Sequence, residues 1–486
     1  MRSLKRNKKS GEKTVTHNLE FINVIKMKNI ILFLLLLFLT KNAAESQTFY
    51  KGADLSFVKE LEACGVQWKE NNAVKDIFDI FKDNGANLIR FRIWHTPTSG
   101  RNGYSDTESQ ISRAKAKGFK ILLDFFYSDT WADAGTQKCP AAWLSVVNNN
   151  TVLADSLYNY TKKVLQTLKD KGLMPEFVQV GNETNGGMCL GGTGTVQWPV
   201  DWSKQTLLFN AGIKAVRDVD ATTKIILHIA DPANAVWCAG QFSTNGVTGY
   251  DILGVSYYPI WHTSKTINDF GTIISNIKST YQKDVMVVET GLPWTNSYDD
   301  NTTNVMNGVP SGYGSSPSPE IQSQWLIDLY NKMVSVGGIG IVYWEPDWVA
   351  SHVANCPSDF GGSTWENVAL FDFSNNLMPT GGIKLYQQGT GTSVPTVNAG
   401  NLSLQVFPNP TSADLTVQFN ASSVTNSLVG IYDLQGRKIK TFLIKSMLGL
   451  NTFTLQINDL NLNPGLYILH LASGSGSDNQ SFIITK

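Results

Sequence analysis

Short apolar runs rich in β-branched residues recur through the first 390 or so residues of the chain. Runs of this kind, bounded by polar residues or glycine, are typical of buried parallel strands. Eight can be read, and eight is the number that a closed (β/α)8 barrel requires. They span Tyr50–Asp54, Leu88–Trp94, Lys120–Phe126, Phe177–Gly181, Lys224–Ile229, Ile252–Tyr257, Val285–Glu289 and Ile339–Trp344.

Helical patterns separate these strands. Apolar residues spaced three and four apart predict helices at Ala73–Asn84, Thr151–Lys171 and Ile321–Val336. Strands that alternate with helices imply a parallel sheet. An open doubly wound sheet is the alternative, but no GxGxxG motif follows the first strand, and eight units favour closure. We therefore predict an α/β fold, a TIM barrel over residues 47–388.

The composition of the chain changes near residue 389. Residues 389–400 are mostly Gly, Thr, Ser, Val and Pro, which is typical of a linker. Beyond the linker only short alternating runs occur, at Leu415–Phe419, Leu428–Tyr432 and Leu466–Leu471, separated by turn residues. This pattern predicts a small all-β sandwich over residues 401–486.

The N-terminal 46 residues have the pattern of an export signal. Basic residues up to Lys28 precede ten apolar residues, Ile30–Leu39, and then the small-residue stretch Asn42–Ser46. Ten residues are too few for the ~20 of a membrane-spanning helix, so a secretory signal peptide is favoured over an anchor. Residues 1–46 are therefore excluded from the predicted fold.

Charge and composition narrow the range of partners. Lys+Arg and Asp+Glu are both 40, so no net field attracts a nucleic acid. Aromatic residues make up 11% of the chain, including 13 Trp, while charged residues make up only 16%. That balance suits stacking on neutral sugars, although a large core also uses aromatic residues.

Export permits disulfide bonds, and the chain has five cysteines. On the barrel prediction all five lie in loops at one rim, after strands 1, 3, 4, 5 and 8. Cys64 with Cys356 and Cys189 with Cys238 would join neighbouring strands. Buried free thiols are the alternative, and the spacing of the cysteines, which include Cys139, resembles no zinc site.

Two glutamates suggest the chemistry. Glu183 and Glu289 each end an apolar run, the fourth and the seventh strand, so both are expected at the carboxyl-terminal rim of the barrel. Paired carboxyl groups there can cleave a glycosidic bond, with one group protonated and the other ionised. Retaining glycosidases of the large (β/α)8 clan arrange acid/base and nucleophile on these two strands. The carboxyl groups of such a pair lie about 5–5.5 Å apart.

The C-terminal module resembles the sorting domain of the type IX secretion system of Bacteroidetes. The resemblance lies in FPNPTSADLTV (Phe407–Val417), IYDLQGRKI (Ile431–Ile439) and LNPGLYILHL (Leu462–Leu471). It implies that secretion machinery recognises this module and carries the protein across an outer membrane. A carbohydrate-binding module is less favoured because the segment contains no Trp.

The barrel resembles glycoside hydrolase family 53, the arabinogalactan endo-β-1,4-galactanases. Several motifs occur in the family's order, and such a series is far more specific than any one motif. They include KGADLSFVKELEACG (Lys51–Gly65), NLIRFRIWHTP (Asn87–Pro97), LLDFFYSDTWADAGTQKCPAAW (Leu122–Trp143), QVGNETNGG (Gln179–Gly187), GVSYYPIWH (Gly254–His262), VVETGLPWT (Val287–Thr295), VYWEPDWV (Val342–Val349) and WENVALFDF (Trp365–Phe373).

The resemblance implies a role for each candidate site residue. Glu183 would be the general acid/base and Glu289 the nucleophile, Asn182 would bind the sugar 2-hydroxyl, and Trp344 would lie beneath the reacting sugar. Arg90 or Arg92, both directed inward, would hold Glu289, and Tyr257 or Tyr258 would donate to it. Tryptophans at strand ends suit either sugar binding or core packing, and Asp54 suits hydrogen bonding to sugar or loop; the tryptophans are Trp94, Trp131, Trp261, Trp294 and Trp348.

The chain also departs from the family pattern. Phe126 replaces a histidine that the family usually has in the active site, which affects a polar contact rather than the carboxylate chemistry. Bacterial relatives often bind calcium after strand 7, and Asp299, Asp300 and Asn301 are the residues that could do so here. Acidic turn chemistry explains those residues nearly as well. No cofactor is expected to be required.

The resulting hypothesis is a monomeric, secreted or cell-surface enzyme of a Gram-negative bacterium that cleaves internal bonds of β-1,4-galactan, as in pectic side chains, by a retaining double displacement. One alternative is an endo-hydrolase of another β-1,4-polysaccharide, such as mannan or glucan. A second alternative, from a different class, is a surface glycan-binding protein without turnover. The presence of both Glu183 and Glu289 argues against the second.

Overall fold

A computed structural model describes residues 48–352, 356, 362–389, 402–421, 425–433, 438–460, 462–473 and 476–485. The chain divides after Gln388 into two compact units. The predicted signal peptide and residues 390–400 of the predicted linker lie outside the described residues. Within the described residues, no helix has the length and apolar character that crossing a membrane requires.

The first unit is a closed barrel of eight parallel strands, which confirms the predicted fold. Around the barrel the order is β1-β8-β7-β6-β5-β4-β3-β2, with β1 paired to β2. Every predicted strand is present, with ends that differ by at most one residue. The strands are β1 (Tyr50–Asp54), β2 (Leu88–Ile93), β3 (Lys120–Phe125), β4 (Phe177–Val180), β5 (Lys224–Ala230), β6 (Ile252–Ser256), β7 (Asp284–Glu289) and β8 (Gly340–Tyr343).

Helices surround the barrel and pack against the outward faces of its strands, and these contacts form the main hydrophobic core. The helices predicted at Thr151–Lys171 and Ile321–Val336 are present, with ends that differ by at most two residues. The helices are α1 (Val58–Ala63), α2 (Ile77–Asp83), α3 (Tyr104–Ala116), α4 (Asn150–Asp170), α5 (Trp202–Val219), α6 (Ala235–Thr244), α7 (Ile267–Tyr281) and α8 (Pro319–Ser335).

The helix predicted at Ala73–Asn84 is only half correct. Lys69–Glu70 and Ala73–Val74 form a short antiparallel hairpin instead. Asn71 and Asn72 make its turn, both with positive φ, a conformation that asparagine tolerates. The helix proper starts after Asp76, whose side chain accepts a hydrogen bond from the Phe78 amide and caps it.

The barrel interior changes from apolar to polar along the strands. Its lower layer is hydrophobic and includes Leu88, Leu122 and Ile226. Two residues further along the same strands, on the same side, come Arg90, Asp124 and His228, all fully buried. The period of two therefore places ionisable groups inside the barrel directly beneath its carboxyl-terminal rim, and these groups support the candidate site.

The second unit is a small β-sandwich, again as predicted. Its two antiparallel sheets have the orders β9-β10-β13 and β12-β11-β14-β15. Inward side chains of both sheets, such as Val417 and Leu471, form one hydrophobic core. The strands are β9 (Gln405–Phe407), β10 (Asp414–Ala421), β11 (Thr425–Tyr432), β12 (Lys438–Ser446), β13 (Gly449–Gln456), β14 (Gly465–Ser473) and β15 (Gly476–Ile484).

One of the two predicted disulfide bonds is correct. Cys64 is bonded to Cys356, with 5.4 Å between their Cα atoms. The predicted bond between Cys189 and Cys238 is wrong, since both residues are buried free thiols, as is Cys139. The expectation that all five cysteines lie in rim loops is also wrong, because Cys238 lies inside α6 and packs into the core.

Candidate active site

Glu183 and Glu289 line one pocket at the carboxyl-terminal rim of the barrel. The pocket has a volume of about 300 Å³ and holds both carboxyl groups among aromatic side chains. Its lining also includes Phe126, Trp131, Ala132, Asp133, Asn182, Tyr258, Trp261, Val305, Trp344, Trp348, Thr364 and Trp365. A concave, mostly aromatic pocket with a few convergent polar groups is the usual form of a small-molecule or sugar site.

Local backbone irregularities turn both glutamates into the pocket. A bulge in β7 shifts the pairing so that Glu289 lies opposite Ser256, an inward residue of β6. At the end of β4, Gly181 and Glu183 both have positive φ. A Cβ on Gly181 would lie 2.5 Å from the Thr184 side chain, so only glycine fits this turn.

Glu289 is held by two hydrogen-bond donors. Its Oε1 lies 2.8 Å from Nη2 of Arg90, and its Oε2 accepts a 3.0 Å hydrogen bond from the Tyr258 hydroxyl. Burial raises the pKa of Glu289, and the charge of Arg90 opposes that effect. The pKa of Tyr258 is raised well above its usual value by burial, which keeps the hydroxyl protonated as a donor.

Arg90 contacts residues at the carboxyl-terminal ends of several strands besides β7, which carries Glu289. Its guanidinium contacts Asp54 and Asp124, each at 2.6 Å, and donates to Oδ1 of Asn182 at 2.9 Å. The side chain is fully buried, so these acceptors and Glu289 compensate its charge. Of the two arginines proposed to hold Glu289, Arg90 is therefore the one that does.

Arg92 has a different partner. It forms a buried ion pair with Glu345, the residue after Trp344, and its guanidinium carbon lies 4.4 Å from the centre of the Phe57 ring and 4.6 Å from that of Trp131. Arg92 therefore stabilises Glu345 and the aromatic rings beside the pocket, whereas Arg90 holds Glu289.

Glu183 has surroundings unlike those of Glu289. Its carboxyl group accepts a 3.3 Å hydrogen bond from the Ala134 amide and hydrogen-bonds with Ser256, and no cation among the described residues pairs with it. Burial raises the pKa of Glu183 to about 7, with a further contribution from the charge of Glu289. This carboxyl group can therefore hold a proton near neutral pH.

A buried histidine supports the turn that carries Glu183. Nδ1 of His228 accepts a 3.2 Å hydrogen bond from the Glu183 amide, and its Nε2 lies 2.8 Å from Oγ of Ser256. Burial, followed by the charge of Arg90, lowers the pKa of His228 well below its usual value, so the ring is neutral. Nothing in the sequence had singled out His228, although its inward position on β5 follows from the period of two.

Asn182 is fixed at both ends of its amide. Oδ1 accepts from Arg90, and Nδ2 donates to the Ala132 carbonyl at 2.8 Å. The side chain lines the pocket between Arg90 and Glu183. It is thus positioned rigidly at the place where a bound sugar would meet both carboxyl groups.

The aromatic candidates separate into two groups. Trp344 lines the pocket and packs edge-on against Trp365, with 4.8 Å between ring centres. Trp131, Trp261 and Trp348 also line it. Trp94 and Trp294 do not line it, so packing is the alternative that the structure favours for both. Trp94 is buried beside Phe126, and Trp294 packs on Phe373 and donates to the Glu366 carbonyl at 3.2 Å.

Of the two tyrosines, only Tyr258 reaches the pocket. Tyr257 faces the surrounding helices, where it packs on Phe270 and Trp325 and donates to the Lys265 carbonyl at 2.7 Å. Trp365 is a pocket residue that the sequence reasoning did not select. It lies more than twenty residues after β8, beyond the reach of a strand-end argument, although the WENVALFDF motif contained it.

The calcium candidates are used by the loop itself. Asp300 accepts 2.6 Å hydrogen bonds from the Thr302 and Ser363 amides, and Asp299 pairs with His352 at 3.0 Å. Asn301 is exposed at the same turn. Within the described residues, no three His, Cys, Asp or Glu side chains are grouped as a metal site would require. Within the described part of the chain, the carboxyl groups of Asp299 and Asp300 therefore contact other protein groups.

Known proteins are similar to the barrel unit in sequence and in structure. The profile of glycosyl hydrolase family 53 matches residues 50–382, which is most of the chain. The chain belongs to glycosyl hydrolase family 53. An arabinogalactan endo-β-1,4-galactanase of Cellvibrio japonicus is 39% identical, covering 69% of this chain and 90% of that protein, and an endo-β-1,4-galactanase of Bacillus subtilis is 34% identical, covering 74% and 90%.

Solved structures agree with the assignment to family 53. The family 53 catalytic domain of Ignisphaera aggregans superposes with a TM-score of 0.63 at 30% identity, covering 71% of this chain and 97% of that one. Residues 405–485 match the secretion system C-terminal sorting domain, which confirms the resemblance of the second unit. The family 53 chain is therefore an exported protein, destined for the cell surface or the medium.

Proposed function

We propose that this protein is a retaining endo-β-1,4-galactanase in which Glu183 is the general acid/base and Glu289 is the nucleophile. The observation that carries the proposal is the contrast between two carboxyl groups in one pocket. Glu289 is bound by a cation and a hydroxyl, whereas Glu183 has no cation and has a pKa of about 7. When the surroundings of two carboxyl groups shift their pKa values apart, one group can serve as the acid while the other serves as the nucleophile.

Catalysis then follows two steps. In the first, the Glu289 carboxylate attacks the anomeric carbon while Glu183 gives its proton to the glycosidic oxygen, so that the leaving chain departs as a neutral alcohol. In the second, Glu183 removes a proton from water, and that water releases the sugar from its ester with Glu289. The second step leaves Glu183 protonated and Glu289 ionised, as they were before the first step. Two inversions at the anomeric carbon retain its configuration.

The surrounding residues support the same reaction. The charge of Arg90 favours the ionised form of Glu289 before the attack, and the Tyr258 hydroxyl donates to the same carboxylate. Asn182 is held where it can donate or accept at the sugar 2-hydroxyl, an interaction that strengthens at the transition state. Trp344 offers an aromatic face to the reacting sugar.

The proposed substrate is β-1,4-galactan of pectic side chains. Its support is the activity named for the relatives from Cellvibrio japonicus and Bacillus subtilis. The sorting domain supports a Gram-negative source in which the enzyme meets polysaccharide outside the cell. We further propose that the enzyme acts as a monomer, since both glutamates and every contact described for them come from one chain.

Purified protein incubated separately with unbranched galactan, mannan and cellulose tests the proposal. Release of galacto-oligosaccharides whose newly formed ends are first β, observed by proton NMR before mutarotation, is the expected result. Release from mannan or cellulose instead would replace the substrate, and first-formed α ends would contradict the double displacement. Binding of galactan without release would show that the site lacks turnover.

A further inference from the structure

Three tryptophans of the barrel unit are exposed, and they lie at the ends of neighbouring strands. Trp198 follows β4, Trp237 follows β5 and Trp261 follows β6, with exposed fractions of 60%, 44% and 48%. The other tryptophans of the chain are buried or half-buried. Large apolar rings grouped in water mark a binding surface more often than a structural one.

One of the three tryptophans lies at the active site, and the other two form a pair. Trp261 lines the active-site pocket. Trp198 and Trp237 contact each other, with ring centres 5.6 Å apart and planes inclined by 57°. Trp198 lies in the segment between β4 and α5, and Trp237 lies in the first turn of α6, after β5. Because Glu183 follows β4 and β5 is the neighbour of β4 in the barrel, the pair belongs to the Glu183 side of the rim.

The position of this pair indicates which part of a substrate it would meet. Glu183 gives its proton to the oxygen of the leaving chain, so the leaving sugars extend on the Glu183 side. Trp344, Trp348 and Trp365 come from β8 and the segment after it, on the other side of the pocket. A pair of exposed rings after β4 and β5 therefore suits the leaving portion of a polysaccharide.

Resting on the proposed function, we propose that Trp198 and Trp237 form an outer subsite for the leaving portion of β-1,4-galactan. The axial 4-hydroxyl of galactose leaves the hydrogens on C3, C4 and C5 on one face, and this apolar face stacks on an indole ring. Two adjacent rings provide more contact area than one sugar covers, which favours a chain over a monosaccharide.

The test compares long and short substrates for Trp198→Ala, Trp237→Ala and the double variant. We expect kcat/KM on polymeric galactan to fall roughly three- to tenfold in each single variant, the scale of one aromatic contact, and further in the double variant. An aryl β-galactobioside, whose leaving group ends before the pair, should be hydrolysed at the wild-type rate. Leu207→Ala on α5, with 43% of its side chain exposed, is the matched control.

The outcomes separate this subsite from the proposed function. If wild-type protein released nothing from galactan, the proposed function would fail, and retardation in a galactan-containing gel would then decide whether the tryptophan pair binds the polymer. If wild type is active and the double variant retains full polymer activity, the subsite is refuted. An equal loss on polymer and aryl substrate would also refute it, because it would indicate a structural role.

A second inference concerns Cys139 and Cys189. Their thiols share a hydrogen bond, and both residues are buried. The segments that carry them are paired through the backbone: the Cys139 amide donates to Gly191 at 2.9 Å, and the Leu190 amide donates to Gln137 at 2.8 Å. The thiols are therefore held together by the fold, whereas Cys238 lies apart inside α6.

We infer that Cys139 and Cys189 are joined by a disulfide bond in the exported protein. Formation of the S–S bond removes one proton and one electron from each thiol, and a thiol–disulfide oxidoreductase of the export compartment takes up the two electrons as its own disulfide is reduced. The bond would link the loops after β3 and β4, which carry Ala134 and Glu183. It also accounts for the odd cysteine count, with Cys238 left as the single thiol.

Alkylation of the denatured, unreduced, secreted protein followed by peptide mass spectrometry tests this bond. The expected result is one alkylated cysteine, Cys238, and a peptide containing Cys139 linked to one containing Cys189. Cys238→Ala should then leave no alkylated cysteine. Alkylation of Cys139 and Cys189 together in fresh secreted protein would overturn the inference.

Discussion

At the scale of single residues, two identical carboxyl groups differ because of what each one contacts. Glu289 receives a guanidinium and a hydroxyl, while Glu183 receives an amide and the hydroxyl of Ser256. Glu289 is buried and Glu183 is half-buried at the pocket, so water screens these differences only in part. The assignment of roles therefore depends on Arg90, whose charge lies against one carboxyl group only.

The glutamine variants should separate the two roles. Glu183→Gln should lower kcat on galactan by about 10²–10⁴-fold, the usual contribution of a general acid. It should still release the aryl group of an activated aryl galactoside in a first-turnover burst, because that leaving group needs no proton and only the second step then needs the base. Glu289→Gln should lose both activities because no ester can form. Circular dichroism should show an unchanged fold. Absence of the burst in Glu183→Gln would contradict the acid/base assignment.

The pH dependence should follow the proton on Glu183. Because its pKa is raised to about 7, the protonated form is present below that pH and is lost above it, so kcat/KM should fall on the alkaline side of about pH 7. Ser256→Ala should move this alkaline limb to higher pH, since the Ser256 hydrogen bond lowers the pKa. Ser256→Thr, which retains the hydroxyl, should leave it in place; a limb unmoved by Ser256→Ala would refute the role of this hydrogen bond.

Sequence reasoning predicted the two glutamates but could not select among their neighbours. Arg90 and Arg92 share one face of β2, and only their height in the barrel, set by the pairing of Asp54 with Arg90, decides which one reaches Glu289. Tyr258 was predictable, since alternation beyond the inward Ser256 turns Tyr257 outward. The β7 bulge was not, although without it Glu289 would face away from the pocket.

At the scale of elements, the strands were predictable because a parallel barrel buries both faces of each strand, which leaves continuous apolar runs in the sequence. Helix starts were less so. Apolar positions in Ala73–Asn84 fit a helical period, but the Asn71–Asn72 turn and the Asp76 cap divide the segment into hairpin and helix. The turn residues and the N-cap therefore determine where this helix begins, and the apolar period alone does not.

The buried pair of Arg92 and Glu345 links β2 to the segment after β8, and its removal should destabilise the barrel. Arg92→Met should lower the free energy of unfolding by about 3–5 kcal/mol, because Glu345 would be left without its cation in the core. Adding Glu345→Gln should recover much of that loss, since a neutral amide can still accept from the Phe57 amide. Urea unfolding of Arg92→Met, Glu345→Gln and the double variant measures both effects; an additive loss in the double variant would contradict the pairing.

At the scale of the whole molecule, chemistry and destination belong to different units. The pocket, both glutamates and all their described contacts lie before Gln388, whereas the match to the sorting domain begins at residue 405. Each unit has its own hydrophobic core. The composition change near residue 389, the short alternating runs beyond it and the sorting-domain motifs predicted this division, whereas the two cores can be recognised from sequence only after the elements are assigned.

Deletion of residues 401–486 should therefore change where the protein goes and leave its catalysis intact. In the native host, the truncated enzyme should accumulate inside the outer membrane, while the full chain reaches the surface or medium. Purified truncated and full-length proteins should have kcat/KM values on galactan within about twofold and the same barrel melting temperature, because no core residue of the barrel is lost. Matched export of both forms would contradict the sorting role. A folded but inactive truncation would show that the second unit contributes to the active site.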